Sequence, residues 1–224
     1  MDNLPRTALL AGATGLVGRA LLSLLLASKQ YRSVHVLLRR RPADIGASEK
    51  LQVRQVDFAR LPAAFPKVDD VFIALGTTIR IAGSEAAFRQ VDFDFVVNIA
   101  RAALAAGATR LAVVSALGAD PTSRVFYNRV KGEMELAVMQ IGYESVVIAQ
   151  PSLLLGDRAA LGQPPRSAEL WAEKLFVPFG WIMPRSVRPI PARAVASALL
   201  AAVLEAKPGV RVLKSAAMQA GDQA

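Results

Sequence analysis

Thr7-Ala-Leu-Leu-Ala-Gly-Ala-Thr-Gly-Leu-Val-Gly18, running directly into Arg19-Ala-Leu-Leu-Ser-Leu-Leu-Leu-Ala27, reads as strand, tight turn and helix. Residues 7 to 11 are a short apolar run, and residues 19 to 27 are mostly straight-chain helix formers without Gly or Pro. Between them Gly12, Gly15 and Gly18 follow a G-x-x-G-x-x-G spacing. In a nucleotide-binding βαβ unit such glycines turn the chain sharply out of the strand, let the backbone approach a pyrophosphate, and allow close packing of helix on sheet. The helix N-terminus then presents free N–H groups to the phosphates. A membrane-spanning or signal segment is the competing reading of the apolar residues 8 to 27. It is disfavoured by Arg19, by the three glycines and by Asp2, which spoils a basic leader.

Composition narrows the rest. The 224 residues are 53% hydrophobic, enough for one full-sized core, and no linker divides them, so one domain over 1–224 is expected. There is no Cys, which removes disulfide and thiolate chemistry and, with no leader, predicts a cytoplasmic location. His35, the only histidine, lies inside the apolar run 34–38, so no His-based triad or His-rich metal site is expected and no metal is assigned. The net charge of +9 is scattered apart from Arg39-Arg40-Arg41. Such a charge fits nucleic acid, a membrane surface or an anionic small molecule; without an aromatic-interleaved basic stripe nucleic acid is disfavoured, and a phosphorylated ligand plus a generally basic surface explains the charge at least as well.

The chain then alternates strand and helix. Strands are predicted at Ser33–Leu38, Leu51–Val56, Asp70–Leu75, Leu111–Ser115 and Ser145–Ala149, with a last short one at Val210–Leu213. Helices are predicted from Ser84 to Ala106, from Arg124 to Gln140 and from Ala192 to Glu205, and the final residues are expected to fray. Apolar strands separated by helices imply an α/β fold, a doubly wound parallel sheet of Rossmann type with helices on both faces. Ligands of such sheets bind outside the carboxyl ends of the strands. That rule gathers Gly12 to Gly18, Arg39 to Arg41, Asp57-Phe58, Gly76 to Thr78, Ser115 and Pro151-Ser152 around one crevice.

The end of the second strand selects the dinucleotide. A carboxylate there would bind the ribose hydroxyls of NAD, whereas arginine accommodates the extra phosphate of NADP. Arg39 lies 21 residues after Gly18 and no carboxylate occurs before Asp44, so NADP(H) is preferred over NAD(H), with Arg39 and Arg40 as phosphate ligands; a solvated loop is the other reading of the trio. The chemistry rests on Ser115, Tyr127 and Lys131. Tyr127-Asn-Arg-Val-Lys131 places phenol and ammonium on one helix face. A free phenol, with a pKa of about 10, is a poor base near neutrality. A neighbouring ammonium favours the phenolate, so Lys131 would fit Tyr127 for acid/base work while Ser115 orients the substrate oxygen.

These residues, with Val56-Asp-Phe58, Leu75-Gly-Thr-Thr78, Val91-Asp-Phe-Asp94, Gly118-Ala-Asp120, Lys131-Gly-Glu133 and Pro151 followed by Leu153-Leu154, make the chain resemble atypical short-chain dehydrogenase/reductases, most closely their Tat-interacting-protein branch of NADPH-binding oxidoreductases. The resemblance covers roughly residues 7 to 200. It implies a Rossmann-type domain with a small C-terminal substrate-binding part, and catalytic Ser115, Tyr127 and Lys131. It further implies cofactor contacts from Gly12, Thr14, Gly15, Leu16, Val17, Gly18, Arg39, Arg40, Asp57, Phe58, Leu75, Gly76, Thr77, Thr78, Tyr127, Lys131, Pro151 and Leu153. Two positions depart from the pattern: Ala116 replaces a usual second Ser, and Gln150-Pro151-Ser152 replaces Arg-Pro-Gly.

Residues 156–190 are irregular and carry Trp171, Phe176, Phe179, Trp181 and Ile182. Three readings stand: a lid over an apolar carbonyl or alcohol substrate, a membrane-surface patch beside Arg185 and Arg188, or a subdomain core. The functional expectation is an NADPH-dependent oxidoreductase acting on a small or medium-sized apolar substrate. The alternative is an NADPH-binding regulatory protein that recognises a protein partner. Oligomeric state is left open.

Overall fold

The computed structural model describes residues 5–42, 45–155, 184 and 186–220. Strands β1 (Arg6–Ala11), β2 (Tyr31–Leu38), β3 (Leu51–Gln55), β4 (Asp70–Ile73), β5 (Arg110–Val114), β6 (Ser145–Gln150) and β9 (Gly209–Lys214) form one sheet in the order β3-β2-β1-β4-β5-β6-β9, every pair parallel. The short strands β7 (Leu154–Leu155) and β8 (Ile190–Pro191) pair separately. Between β1 and β4 the winding direction reverses, and the carboxyl ends of those two strands flank the switch point at which such sheets bind ligands.

Successive strand residues point to opposite faces, and both faces are apolar. On one, Leu10, Val34, Val36 and Phe72 pack with Leu21 and Leu25 of helix α1 (Leu16–Ala27) and with Val195 and Leu199 of α6 (Ala192–Leu204). On the other, Leu9, Leu37, Ile73, Leu111 and Ile148 pack with Ile99 of α4 (Phe95–Ala105) and with Met134 and Val138 of α5 (Phe126–Met139). Each such buried side chain contributes roughly 1.5–3 kcal/mol of transfer free energy, which fixes the register of the central strands.

Three expectations change. The helix predicted from Ser84 to Ala106 is interrupted: α3 (Glu85–Arg89) gives way to a π-helical turn over Gln90–Asp94, where the Phe95 N–H reaches back five residues to the Gln90 carbonyl, before α4 begins. Ser84 does cap it, its hydroxyl accepting from the Ala87 N–H at 3.1 Å. A short helix α2 (Ile79–Ala82) precedes this segment, capped by the Thr78 hydroxyl. The C-terminus is ordered further than anticipated: Ser215–Ala220 forms helix α7, with Met218 buried against the first core and Ser215 bonded to Ser152. The aromatic residues 171–182 lie outside the described residues.

The amino edge of the sheet is closed by Asp70, which is fully buried at the start of β4. Its carboxylate accepts from Arg6 and from the Tyr31 hydroxyl (2.7 Å), with Arg110 at 3.6 Å. Burial pushes the Asp70 carboxyl above its usual range and the Arg6 guanidinium pulls the other way; burial first, then Asp70, pushes the Tyr31 phenol up.

Candidate functional site

Gly12 has φ +92°, a left-handed conformation that only glycine adopts without strain, and a Cβ there would strike the Ala74 carbonyl and lie 2.8 Å from the Leu75 nitrogen. A Cβ on Gly18 would run into the Gly12 carbonyl. A Cβ on Gly15, the residue preceding α1, would meet only ordinary van der Waals contacts, the Gly12 oxygen at 3.6 Å and the Ala74 oxygen at 4.0 Å. The three glycines therefore divide the work: Gly12 turns the chain against the loop after β4, Gly18 seats the helix, and Gly15 leaves room in front of the helix N-terminus. Thr14 and Leu16 are half-buried, Val17 is buried, and no carboxylate lies in the first turn of α1 to compete for its N–H groups. This open cradle of backbone donors fits a dinucleotide phosphate.

Arg39 and Arg40 are exposed immediately beyond the carboxyl end of β2, beside β1. Asp57 is exposed, and its carboxylate and carbonyl accept from the Ala59 and Arg60 N–H groups, while Phe58 turns inward with its ring 5.8 Å from that of Phe95. Leu75 is half-buried, Gly76 is exposed, and the Thr77 N–H donates to Asp92 at 2.9 Å.

Asp92 is the residue that sequence reasoning passed over. Quoted only as part of a resemblance, it sits fully buried inside the π-helical turn and takes Thr77 on one oxygen and the Lys131 ammonium, at 2.7 Å, on the other. Lys131 is itself 3% exposed. A buried ammonium persists only when paired, so Asp92 accounts for a charged Lys131 at this depth. Gly76 lies over the pair: a Cβ on it would come 3.3 Å from the Asp92 carboxylate and 3.9 Å from the ammonium. Phe88 and Asp92 repeat the four-residue step of Tyr127 and Lys131, a pairing that shows only once the two segments are packed together. The Tyr127 ring packs 5.3 Å from that of the fully buried Phe88.

Ser115 follows β5 directly. Its N–H donates to the Ala149 carbonyl at 2.8 Å, and the Leu117 N–H donates to the carbonyl of the buried Pro151, also at 2.8 Å. The loop after Ser115 folds onto α5: the Asp120 N–H donates to the Asn128 carbonyl, and a Cβ on Gly132 would collide with the Asp120–Pro121 peptide. Hydrogen bonds from the Thr122 backbone and hydroxyl to Asp120 hold that carboxyl below its usual range. The Ser115 hydroxyl, on a residue 5% exposed, is buried with no hydrogen-bond partner among the described residues. Leu153 is half-buried, its carbonyl occupied by the Ile190 N–H. Where the departing Gln150 stands, its amide donates to both oxygens of the buried Glu135 (2.9 and 2.8 Å) and its own oxygen accepts from Lys214.

The glycine turn, the 74–78 loop, Asp92, Lys131, the Ser115 loop and Pro151 thus form a continuous chain of contacts along the carboxyl edge of the sheet. Arg39 and Arg40 reach that edge too, without a described contact to the rest. Among the described residues no group of His, Asp and Glu could hold a metal ion, and no helix is long and apolar enough to cross a membrane.

Comparison with known proteins agrees with this geometry. A family model described as NAD(P)H-binding matches residues 12–146. Protein HTATIP2 of Rattus norvegicus is 33% identical over 182 residues, 79% of this chain and 73% of its own. Protein FMP52, mitochondrial, of Eremothecium gossypii is 36% identical over 153 residues, 67% of each chain, and that of Coccidioides immitis 32% over 165 residues, 68% of this chain and 67% of its own. Among solved structures, MoeE5 in complex with UDP-glucose and NAD superposes with a TM-score of 0.70 at 18% identity, over 92% of this chain and 75% of that one. The Bordetella bronchiseptica enzyme WbmH in complex with NAD+ gives 0.69 at 13%, over 94% and 75%; at such identities these two speak for the fold. The cytoplasmic expectation does not stand, because the FMP52 relatives are named mitochondrial. Its physical basis was too thin: a missing cysteine excludes disulfide chemistry but does not distinguish one compartment from another.

Proposed function

Because the chain belongs to the NAD(P)H-binding family of atypical short-chain dehydrogenase/reductases, we propose that it is an NADP(H)-dependent oxidoreductase that interconverts an apolar carbonyl compound and its alcohol. The observation that carries this reading is the Ser115 hydroxyl, buried and unpartnered among the described residues at the carboxyl end of β5. An orphaned buried hydroxyl costs about 1–3 kcal/mol, and a site tolerates that cost where a ligand supplies the missing partner. A substrate oxygen is such a partner.

The nicotinamide supplies the hydride chemistry when bound. Gly12, Gly15 and the first turn of α1 would receive its pyrophosphate, Arg39 and Arg40 the 2′-phosphate, and Lys131 would face it beneath Gly76. Ser115 donates to or accepts from the substrate oxygen and fixes its direction. Tyr127 gives its phenolic proton to that oxygen during reduction and takes it back during oxidation. Tyr127→Phe tests the assignment: NADPH binding measured by calorimetry stays near wild type while turnover falls by about 10²-fold or more. Persisting turnover would refute the acid/base role. Arg39→Ala combined with Arg40→Ala weakens NADPH far more than NADH, and equal losses for the two cofactors would remove the phosphate assignment.

A further inference from the structure

Two side chains of one short segment touch the two functional side chains of α5, in matching order. Phe88 packs against Tyr127 with ring centroids 5.3 Å apart and an interplanar angle of 39°, and Asp92 binds Lys131 at 2.7 Å. Both members of the segment are fully buried. Phe88 belongs to α3 and Asp92 to the π-helical turn, where the extra residue in the turn alters the direction of the side chains that follow. The second Asp92 oxygen holds the Thr77 N–H of the loop after β4. Arg89 of the same segment is paired with Glu133 of α5, a further link between the two elements, and its guanidinium lies 4.4 Å from the centre of the Phe93 ring within the segment itself.

We infer that the segment Glu85–Asp94 is a positioning element: Phe88 sets the Tyr127 ring, and Asp92 sets the Lys131 ammonium and ties it to the cofactor-side loop 76–78, so that phenol, ammonium and loop are placed by one piece of chain. This rests on the proposed role of Tyr127 and Lys131 and adds to it the source of their alignment. The π-helical turn is then a working part. Continued as regular α-helix, the chain would present different residues at one of the two contacts, and either Phe88 or Asp92 would leave its partner. Of the charged groups around this contact, Asp92 from the π-helical turn binds the Lys131 ammonium, Arg89 from α3 pairs with Glu133 of α5, and Arg129 of α5 lies over the Phe126 ring. Of these, Asp92 alone is fully buried against the ammonium.

The test uses the full chain labelled with fluorotyrosine. Tyr31, Tyr127 and Tyr143 are the only tyrosines, giving three ¹⁹F resonances that Tyr→Phe variants assign. Asp92→Asn leaves the buried Lys131 ammonium without its counter-charge, which drives it to the neutral amine; its support of the Tyr127 phenolate is lost and the Tyr127 resonance titrates at higher pH than in the wild-type chain. Phe88→Leu keeps the site apolar but removes the flat partner, and the single Tyr127 resonance broadens or divides. Phe58→Leu, a ring replaced beside Phe95 instead, leaves the Tyr127 resonance as it was. The Tyr31 and Tyr143 resonances report within each sample that the fold persists, and Phe88→Met replaces Phe88→Leu if they collapse. An unmoved titration in Asp92→Asn, or one sharp Tyr127 line in the folded Phe88 variant, overturns the inference. Neither readout needs turnover. Loss of activity in Tyr127→Phe with an unmoved Asp92→Asn titration therefore removes the positioning element alone, whereas undiminished activity in Tyr127→Phe removes the catalytic reading alone.

Discussion

Two buried aspartates stand at opposite edges of the same sheet and have been put to different use. Asp70, at the amino edge, is surrounded by Arg6 of β1, Tyr31 of β2 and Arg110 of β5. Asp92, at the carboxyl edge, binds one ammonium and one backbone N–H, with an exposed glycine above it and the unpartnered Ser115 hydroxyl at the end of the adjacent strand β5. The first cluster is built from side chains of four strands and ties them together, although one Arg110 nitrogen and the Ser145 hydroxyl beside it on β6 are buried without a hydrogen-bond partner among the described residues. The second is built from loops and a π-helical turn rather than from strands, and it has no side chain at Gly76, where a Cβ would come within 3.3 Å of the Asp92 carboxylate. The amino edge joins strands, and the carboxyl edge joins the loops of the proposed site.

Substitutions should separate the two. Asp70→Ala strands Arg6 and Arg110 against a buried void and is expected to cost about 3–5 kcal/mol in denaturant unfolding. NADPH affinity per folded molecule should not change; a selective loss of cofactor binding at unchanged stability would reverse the roles assigned to the two edges. Gly18→Ala forces a methyl into the Gly12 carbonyl. We expect an NADPH affinity lowered by roughly tenfold or more from displacement of α1 by about 1 Å, measured by titration. Ser115→Ala sharpens the comparison in the opposite sense. Removing an unsatisfied hydroxyl should leave stability unchanged or raise it by about 1 kcal/mol while turnover falls. If Ser115→Ala destabilised the protein, the hydroxyl would have a structural partner and the carboxyl edge would resemble the amino one.

The smallest effect belongs to His35. It is half-buried in β2, and burial, followed by the Arg54 charge, lowers its pKa below the ordinary histidine value. The folded chain therefore binds this proton more weakly than the unfolded chain. The sign follows: His35 costs nothing above the unfolded value near 6.5 and destabilises the fold as pH drops through that value towards the lowered one. His35→Gln should flatten the stability profile between neutral and mildly acidic pH, as read from midpoints of thermal unfolding; an unchanged slope would place the titration elsewhere.

How much of this was legible beforehand depends on the range of the interaction involved. The glycine turn and the order of strand and helix are local, set by apolar periodicity and by backbone conformations that glycine alone adopts freely, so both were readable. The Tyr127–Lys131 pair was readable as well, because a four-residue spacing on a helix is a local geometric fact. Asp92 was not, since nothing within a few residues marks it as buried, and one helix was expected where the chain turns through a π-helical segment. Its role appears only when Thr77 and Lys131, 15 and 39 positions away in the chain, arrive on either side of one carboxylate. The same holds for Gln150, whose amide lies between Glu135 of α5 and Lys214 of β9.

By itself, then, the sequence determined a doubly wound parallel sheet with a phosphate-facing glycine turn, because those features follow from periodicity and from steric limits on a few neighbouring residues. Only the tertiary structure decided which buried charges meet, that the Ser115 hydroxyl is left without a partner among the described residues, and where a helix must widen by a residue. Those outcomes depend on desolvation and distance between groups far apart in the chain, and neither quantity exists until the sheet has formed.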